Sequence, residues 1–186
     1  IPAIKLLNQF TEVVNVDSGV DYRLRTLEQA ELYHYPLDGD ANSSLEKSFQ
    51  GLIADPRHVE ANASVEILGR KIPAKAVCDD IAWFDFYALC DGPRSQNDYI
   101  ELGKLFHAVI VSDVPAMGSK NDDLARRFIN LIDEFYDRGV KVIMSADASI
   151  PEIYSTGKLE FEFQRTTSRM LEMQSHDYLA REHRPD

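Results

Sequence analysis

The pattern of apolar and polar positions is most regular between Phe106 and Ala148, where it predicts a strand, a helix and a second strand. The run from Ala108 to Val111 is continuously apolar, which is typical of a strand buried on both faces of a parallel sheet. Val140 to Met144 is predicted as the second buried strand. The helix between them has an apolar stripe at helical spacing, comprising Leu124, Phe128, Leu131, Ile132, Phe135 and Tyr136.

Both ends of this helix carry sequence signals. Asn121 is predicted to cap the first turn, where Asp122 and Asp123 place carboxylates at the positive end of the helix dipole. Gly139 is predicted to end the helix. A helix of this length suits a right-handed crossover between neighbouring parallel strands, so the stretch predicts one βαβ unit.

Further elements are predicted on both sides of this unit. Before it, the pattern predicts the end of a helix at residues 1–10, a strand at 11–16, an extended segment at Val20–Leu24, a short amphipathic helix at Leu45–Ile53, a β-hairpin at Val65–Val77 that turns at Gly69-Arg70, a strand at Ile81–Cys90, and a helix that starts with a capping box at Ser95–Asp98. After it, the pattern predicts a helical turn at Ile150–Tyr154, a strand at Lys158–Phe163 and a terminal helix at Arg165–Arg181. The predicted fold class is therefore α/β, with a parallel βαβ core, flanking helices and a β-hairpin.

Composition narrows the function. The net charge of −11 argues against nucleic-acid binding, because phosphate contacts depend on clustered Lys and Arg. No apolar run approaches the roughly 20 residues of a membrane helix, so a soluble protein without a membrane span is expected. Cys78 and Cys90 suit two buried thiols in a reducing compartment, with a bridge between them as the minor alternative. The five histidines are scattered, and no structural metal is predicted.

Several segments resemble one ATPase family. They are VDYR at Val20–Arg23, SQNDYIELGKLFH at Ser95–His107, ARRFINLIDEFYD at Ala125–Asp137 and FEFQRTTSRMLEMQSHDYL at Phe161–Leu179. In order and spacing they are similar to the C-terminal half of the AFG-type ATPases, the family of the lactation-elevated ATPase and the cell-division protein ZapE. The resemblance extends from about Ile1 to His183.

The resemblance implies the C-terminal part of an AAA+-like P-loop ATPase. It implies that the intact protein uses ATP and Mg²⁺, acts in the cytoplasm on a protein target (the division ring in bacteria), and forms a homo-oligomer. Residues 1–37 would then be the end of the ATPase core, 38–63 a helical and loop connection, and 64–186 a C-terminal α/β region that contacts the N-terminal ATPase half.

The sequence itself contains no G-x-x-x-x-G-K-[ST] phosphate loop. Both Gly-Lys pairs are followed by Leu, and the chain opens on IPAIKLL without Met, as a cut piece of a longer protein would. The chain alone is therefore expected to bind no cofactor strongly and to be inactive. The alternative is a stand-alone α/β interaction domain. A phosphate loop upstream of Ile1 in the parent reading frame would favour the ATPase, and a start codon there would favour the domain.

One candidate site lies in the central unit. Its order of acidic strand, helix and polar strand resembles the nucleotide-binding half of the same family, although any βαβ unit shares that order. Asp113 would take the place of a Walker B Asp, but Val114 follows it where a general base is needed. Polar residues are expected to cluster at the carboxyl ends of the two strands, as structural or vestigial groups, namely Ser112, Asp113, Ser145 and Asp147.

Other candidates carry charge elsewhere. Asp21 and Arg23 are placed on one side of an extended segment, either as a nucleotide or subunit contact or as a structural ion pair. Asp85 is expected to face solvent from a strand.

Arg165 and Arg169 are the candidate catalytic arginines. They share one helix face, and Arg165 is placed near the helix start, so a compensating anion is expected. That anion is either a nucleotide phosphate or an internal carboxylate such as Asp133 or Glu134.

Overall fold

A computed structural model of the protein describes residues 19–186. The helix end and the strand predicted within residues 1–16 lie outside the described residues. The helices are α1 Gly19–Gln29, α2 Ala41–Leu52, α3 Phe86–Cys90, α4 Gln96–Leu105, α5 Asp122–Asp137, α6 Glu160–Glu172 and α7 His176–Leu179. The strands are β1 Tyr33–His34, β2 Glu60–Ala61, β3 Ser64–Ile67, β4 Arg70–Pro73, β5 Ala76–Cys78, β6 Ile81–Asp85, β7 Ala108–Val114 and β8 Lys141–Ala146. Short 3-10 turns occur at Pro56–His58 and Ile150–Glu152.

Six strands form one mixed sheet in the order β1-β8-β7-β6-β5-β2. The pairs β1–β8, β8–β7 and β7–β6 are parallel, and β5 and β2 extend the sheet in antiparallel fashion. The predicted βαβ unit is confirmed, because β7 and β8 are parallel neighbours and α5 connects them. The α/β fold class is confirmed with it. The three predicted regions are not tested and stay a prediction.

Helices cover both faces of the sheet. Alternate residues of β7 point to opposite sides, as the pleat requires: Ile110 packs in the cluster that contains Leu45 and Phe49 of α2, whereas Val109 and Val111 pack in the larger cluster that includes residues of α3 to α6. Both faces are therefore buried, which explains why β7 is apolar throughout its first four residues.

The central helix α5 has the predicted buried stripe, with Phe128, Leu131, Ile132 and Phe135 all at 0% exposure. Its predicted cap is wrong in detail. Asn121 occupies the cap position but makes no side-chain bond to the helix, because its Oδ1 accepts the Gly118 amide at 2.7 Å in the preceding turn.

Three segments have a different structure from the one predicted. Val20–Leu24 is helical, in α1, so positions 21 and 23 lie about 200° apart around a helix rather than on one side of a strand. The strand predicted at Ile81–Cys90 ends at Asp85, which caps the helical turn α3 by accepting the Tyr87 amide at 2.9 Å. Asp85 is thus a helix cap and not a solvent-facing strand residue.

The third difference concerns the C-terminal helices. The strand predicted at Lys158–Phe163 is wrong, because α6 already begins at Glu160. Arg165 therefore lies in the interior of α6 and not at its start, and the helix-dipole argument for it fails. The predicted single terminal helix is interrupted after Glu172, and Ser175 caps the short helix α7.

The predicted β-hairpin is present as a separate two-stranded sheet, β3–β4. Its turn is Leu68-Gly69, with φ of 50° and 75°, one position earlier than predicted. The second arm ends at Pro73, and Ala76–Cys78 becomes β5 of the main sheet. The capping box of α4 is confirmed, since Asp98 accepts the Ser95 amide at 2.7 Å.

The segment after α7 closes the amino-terminal edge of the sheet. Lys141, only 1% exposed, donates from Nζ to the carbonyl oxygens of Gly139, Tyr178 and Arg181 at 2.7, 3.2 and 2.7 Å. Burial lowers the pKa of Lys141 to about 8. Within residues 19–186, none of the helices has the length and apolar character needed to cross a membrane.

Candidate functional site at the carboxyl edge of the sheet

The predicted polar cluster forms where β7 and β8 end. Asp113 has φ of 64°, a left-handed conformation that is uncommon for Asp and coincides with a register shift between Val111 and Val114. The Asp113 amide donates to Ser145 Oγ at 3.0 Å. Such backbone conformations persist only where surrounding contacts hold them, and they concentrate at ligand sites and switches.

A lysine that the sequence pattern did not indicate completes this cluster. Lys75 precedes β5, and its Nζ donates to Ser112 Oγ at 2.7 Å and approaches Asp113 Oδ2 at 3.3 Å. The same ammonium lies 5.6 Å from the centre of the Trp83 ring. With 38% and 40% of the Lys75 and Asp113 side chains exposed, the ion pair is partly screened by water.

Asp85, the cap of α3, lies at the same edge. Burial raises the pKa of the Asp85 carboxyl, and the nearby Asp113 carboxylate raises it further. The edge therefore combines two acidic groups with one ammonium. Asp147 lies apart from them and accepts the Ala116 amide at 3.2 Å, so it holds the loop after β7.

This edge does not fit a magnesium–nucleotide complex. The Lys75 ammonium already neutralises Asp113 from the side at which a divalent cation would bind, and the chain has no phosphate loop. Among residues 19–186, no group of three or more His, Cys, Asp or Glu side chains is arranged to hold a metal ion. The arrangement instead fixes the ends of β6 and β7 relative to each other.

The structure does not bring the predicted nucleotide-contact residues together. Arg23 forms a two-pronged ion pair with Asp80, at 2.8 Å for each bond, at the amino-terminal edge before β6. Asp113 lies at the opposite edge. The side chain of Asp21 is outside the described part of the chain. A nucleotide contact by Asp21, Arg23 or Asp113 stays a prediction.

Arg165 and Arg169 converge on one carboxylate. Their guanidinium groups bind the two oxygens of Asp133 on α5, at 2.6 and 2.7 Å. Arg169 also lies 3.6 Å from Asp137 and stacks 4.7 Å from the centre of the Tyr136 ring. The compensating anion in this structure is thus the internal carboxylate Asp133, and α6 is fastened to α5. A catalytic role for the two arginines stays a prediction.

We expect Arg169→Ala to destabilise the protein by about 1 kcal/mol and Arg165→Ala by less than about 0.5 kcal/mol. The reason is that 22% of the Arg169 side chain is exposed against 59% for Arg165. Thermal melts and ATP turnover of the intact protein should be measured together for each variant. Turnover that falls only as far as stability does fits the structural role, whereas lost turnover with an unchanged melt establishes the catalytic one.

The match to known proteins extends over nearly the whole chain. A family model described as AFG1-like ATPase matches residues 1–182. The chain belongs to this family. Among AFG1-like relatives, Cell division protein ZapE of Escherichia coli (strain K12) is 45% identical over 183 residues, which cover 98% of this chain and 48% of that protein. Lactation elevated protein 1 homolog B of Danio rerio is 30% identical over an alignment of 211 positions that covers 96% of this chain and 42% of that protein.

The resemblance drawn from the sequence segments is thereby confirmed. An uncharacterized protein of Schizosaccharomyces pombe is also similar, with 37% identity over 161 residues, covering 86% of this chain and 35% of that protein. The chain spans about half the length of ZapE and a smaller share of the other two relatives. No solved structure matches the chain. Activity, substrates and partners of the whole AFG1-like protein therefore enter only as proposals.

Proposed function

We propose that this chain is the C-terminal half of a cytoplasmic AFG1-like ATPase, and that it couples ATP hydrolysis elsewhere in the protein to a protein target. The observation that carries the proposal is the 45% identity, over 98% of this chain, to a protein named for cell division. By the same similarity, the target belongs to the division machinery in bacteria. ATP and Mg²⁺ are bound outside this half, because its own carboxyl edge is neutralised by Lys75.

Two features of the chain suit a coupling role. The sheet is rigid at both edges, with Lys141 fastening the C-terminal segment and the Lys75 cluster fastening the ends of β6 and β7. In addition, α1 is attached to the sheet by the Arg23–Asp80 ion pair. A displacement of the residues before α1 would therefore be transmitted to β6 through Arg23.

The proposal is tested by supplying the two halves as separate chains. We expect ATP turnover by the half that contains the phosphate loop to change when this chain is added, and to change less when Arg23→Ala is added instead. A Lys158→Ala chain, altered at an exposed lysine, serves as the matched control. If this chain alters neither turnover nor the size of the complex, the coupling role is contradicted.

We expect the isolated chain to show no ATP turnover. It lacks the phosphate loop, and no general base follows Asp113. A steady-state assay with ATP and magnesium measures this directly. Turnover that disappears in the Asp113→Ala variant would overturn the expectation, whereas turnover unaffected by that substitution would indicate a contaminating ATPase.

A further inference from the structure

A crevice between β1 and β8 is the place where this sheet changes winding direction. After β1 the chain enters α2, which packs on the face of Ile110, whereas after β8 it enters the Ile150–Glu152 turn and α6, which pack on the opposite face. In open α/β sheets, the carboxyl ends of two such strands form the usual ligand crevice. The two parallel strands are in register here, with Tyr33 opposite Met144 and His34 opposite Ser145.

The β1–loop–α2 segment has the topology of a phosphate loop, in which a strand leads through a turn into a helix amino terminus that binds an anion. In this chain a carboxylate of the loop itself takes the anion position. Asp38 Oδ1 accepts the Asp40 amide at 3.0 Å, immediately before α2 begins. A hydrogen bond from His34 and bonds from the amides of Asp40 and Ala41 lower the pKa of Asp38.

His34 connects this carboxylate to a second one. Its Nδ1 lies 2.8 Å from Glu31 Oε2, and its Nε2 lies 2.9 Å from Asp38 Oδ1. Since carboxylates only accept, both ring nitrogens must donate, and the ring is an imidazolium with 11% of its side chain exposed. Glu31 also accepts the Ser44 hydroxyl of α2 at 2.9 Å.

The β8 side of the crevice is closed as well. The Tyr33 hydroxyl donates to the Ala148 carbonyl oxygen at 2.7 Å, just beyond the end of β8. Tyr33 and Tyr35 flank His34, and their ring centres lie 6.0 Å apart. The charged groups that act on His34 are Glu31 and Asp38.

We propose that Glu31, His34 and Asp38 form a proton-dependent clasp that fills the anion position of this second phosphate-loop-like segment and holds β1 on the sheet. The crevice is then closed to phosphate by the chain's own carboxylate, and deprotonation of His34 releases the segment between α1 and α2. This inference goes beyond the proposed coupling function and does not depend on it.

The pH dependence follows from the direction of each pKa shift. Hydrogen bonds, from Glu31 first, raise the pKa of His34 above its ordinary 6.5, so the imidazolium contributes fully below 6.5 and the contribution is lost as pH rises through the folded pKa. Glu31 and Asp38 have lowered pKa values, and their contribution is lost in acid as pH falls through those values. The clasp is therefore complete between the ordinary pKa of Glu31, 4.5, and that of His34, 6.5.

Hydrogen exchange of the β1 amides in the full 186-residue chain tests the clasp. After correction for the intrinsic pH dependence of exchange, we expect protection of residues 33–35 at pH 6 that is lost as pH rises above the folded His34 pKa. His34→Gln should lack that protection at both pH values, since a neutral amide cannot donate to both carboxylates. His58→Gln is the matched control, because His58 also lies near two carboxylates, Asp55 and Asp79, but is 58% exposed.

Protection that is independent of pH, or unchanged by His34→Gln, would overturn the clasp. A second measurement tests the self-filled anion position, using inorganic phosphate as the probe and the backbone amide resonances of Asp40 and Ala41 as the readout. We expect no phosphate-dependent shift of either resonance in the unaltered chain. A saturable shift would show that the anion position is free for a ligand, and the proposal would fail.

Discussion

Leu131→Ala and Phe135→Ala should each lower the free energy of unfolding by about 2 to 5 kcal/mol. Both side chains are fully buried on the face of α5 that packs in the larger core cluster. Truncation removes their transfer free energy and leaves a cavity, because the surrounding side chains come from several elements and relax only in part. Denaturant melts of the chain measure the loss.

The matched control is Arg126→Ala, on the exposed side of the same helix. It should change stability by no more than about 0.5 kcal/mol. Leu131 and Phe135 variants that cost as little as this control would mean that α5 presents another face to the sheet. A cost confined to one of them would instead localise the flexible part of the core.

Lys141→Ala should cost about 3 to 5 kcal/mol. The substitution removes the donor of three hydrogen bonds and leaves the carbonyl oxygens of Gly139, Tyr178 and Arg181 to find other partners at the edge of the sheet. It also removes the ammonium that lies 5.0 Å from the centre of the Tyr178 ring. Thermal and denaturant melts check the magnitude.

Lys158→Ala, at an exposed lysine, is the control for loss of a positive charge alone. In the Lys141 variant, exchange of the amides after α7 should accelerate more than exchange of the α5 amides, because the lost bonds fasten the C-terminal segment. Equal acceleration in both regions, with a cost below about 1 kcal/mol, would show that the carbonyl groups are satisfied by water and that Lys141 is dispensable.

The sequence predicted the central unit well because its two periods are unambiguous. β7 is apolar on both faces, and α5 repeats its apolar residues over four turns. Residues 158–163 show the opposite case. Leu159, Phe161 and Phe163 alternate as in a strand, but Leu159 and Phe163 are also four residues apart, as on a helix face. Phe161 is 83% exposed in the structure, so the alternation arose from one surface aromatic residue.

The candidate site was predictable only where parallel strands supply it. Ser112, Asp113 and Ser145 follow from the rule that carboxyl ends of neighbouring strands meet at one edge. Lys75 could not be placed this way, because it enters from the antiparallel extension before β5, and no local pattern reports which strand β5 will pair with. Likewise, the pairing of Arg165 and Arg169 with Asp133 was one of two open alternatives until the packing of α6 on α5 was known.

The pairing of β1 with β8 has a consequence for the order of folding. β7, α5 and β8 are consecutive in the chain and can associate by closing short loops, whereas Tyr33 and His34 must find Met144 and Ser145 across most of the sequence. Contacts of such long range slow folding, because the entropy of closing the loop is lost before the contacts form. We therefore expect β1 to join a sheet that is already assembled, and the crevice beside it to be completed late on the folding pathway.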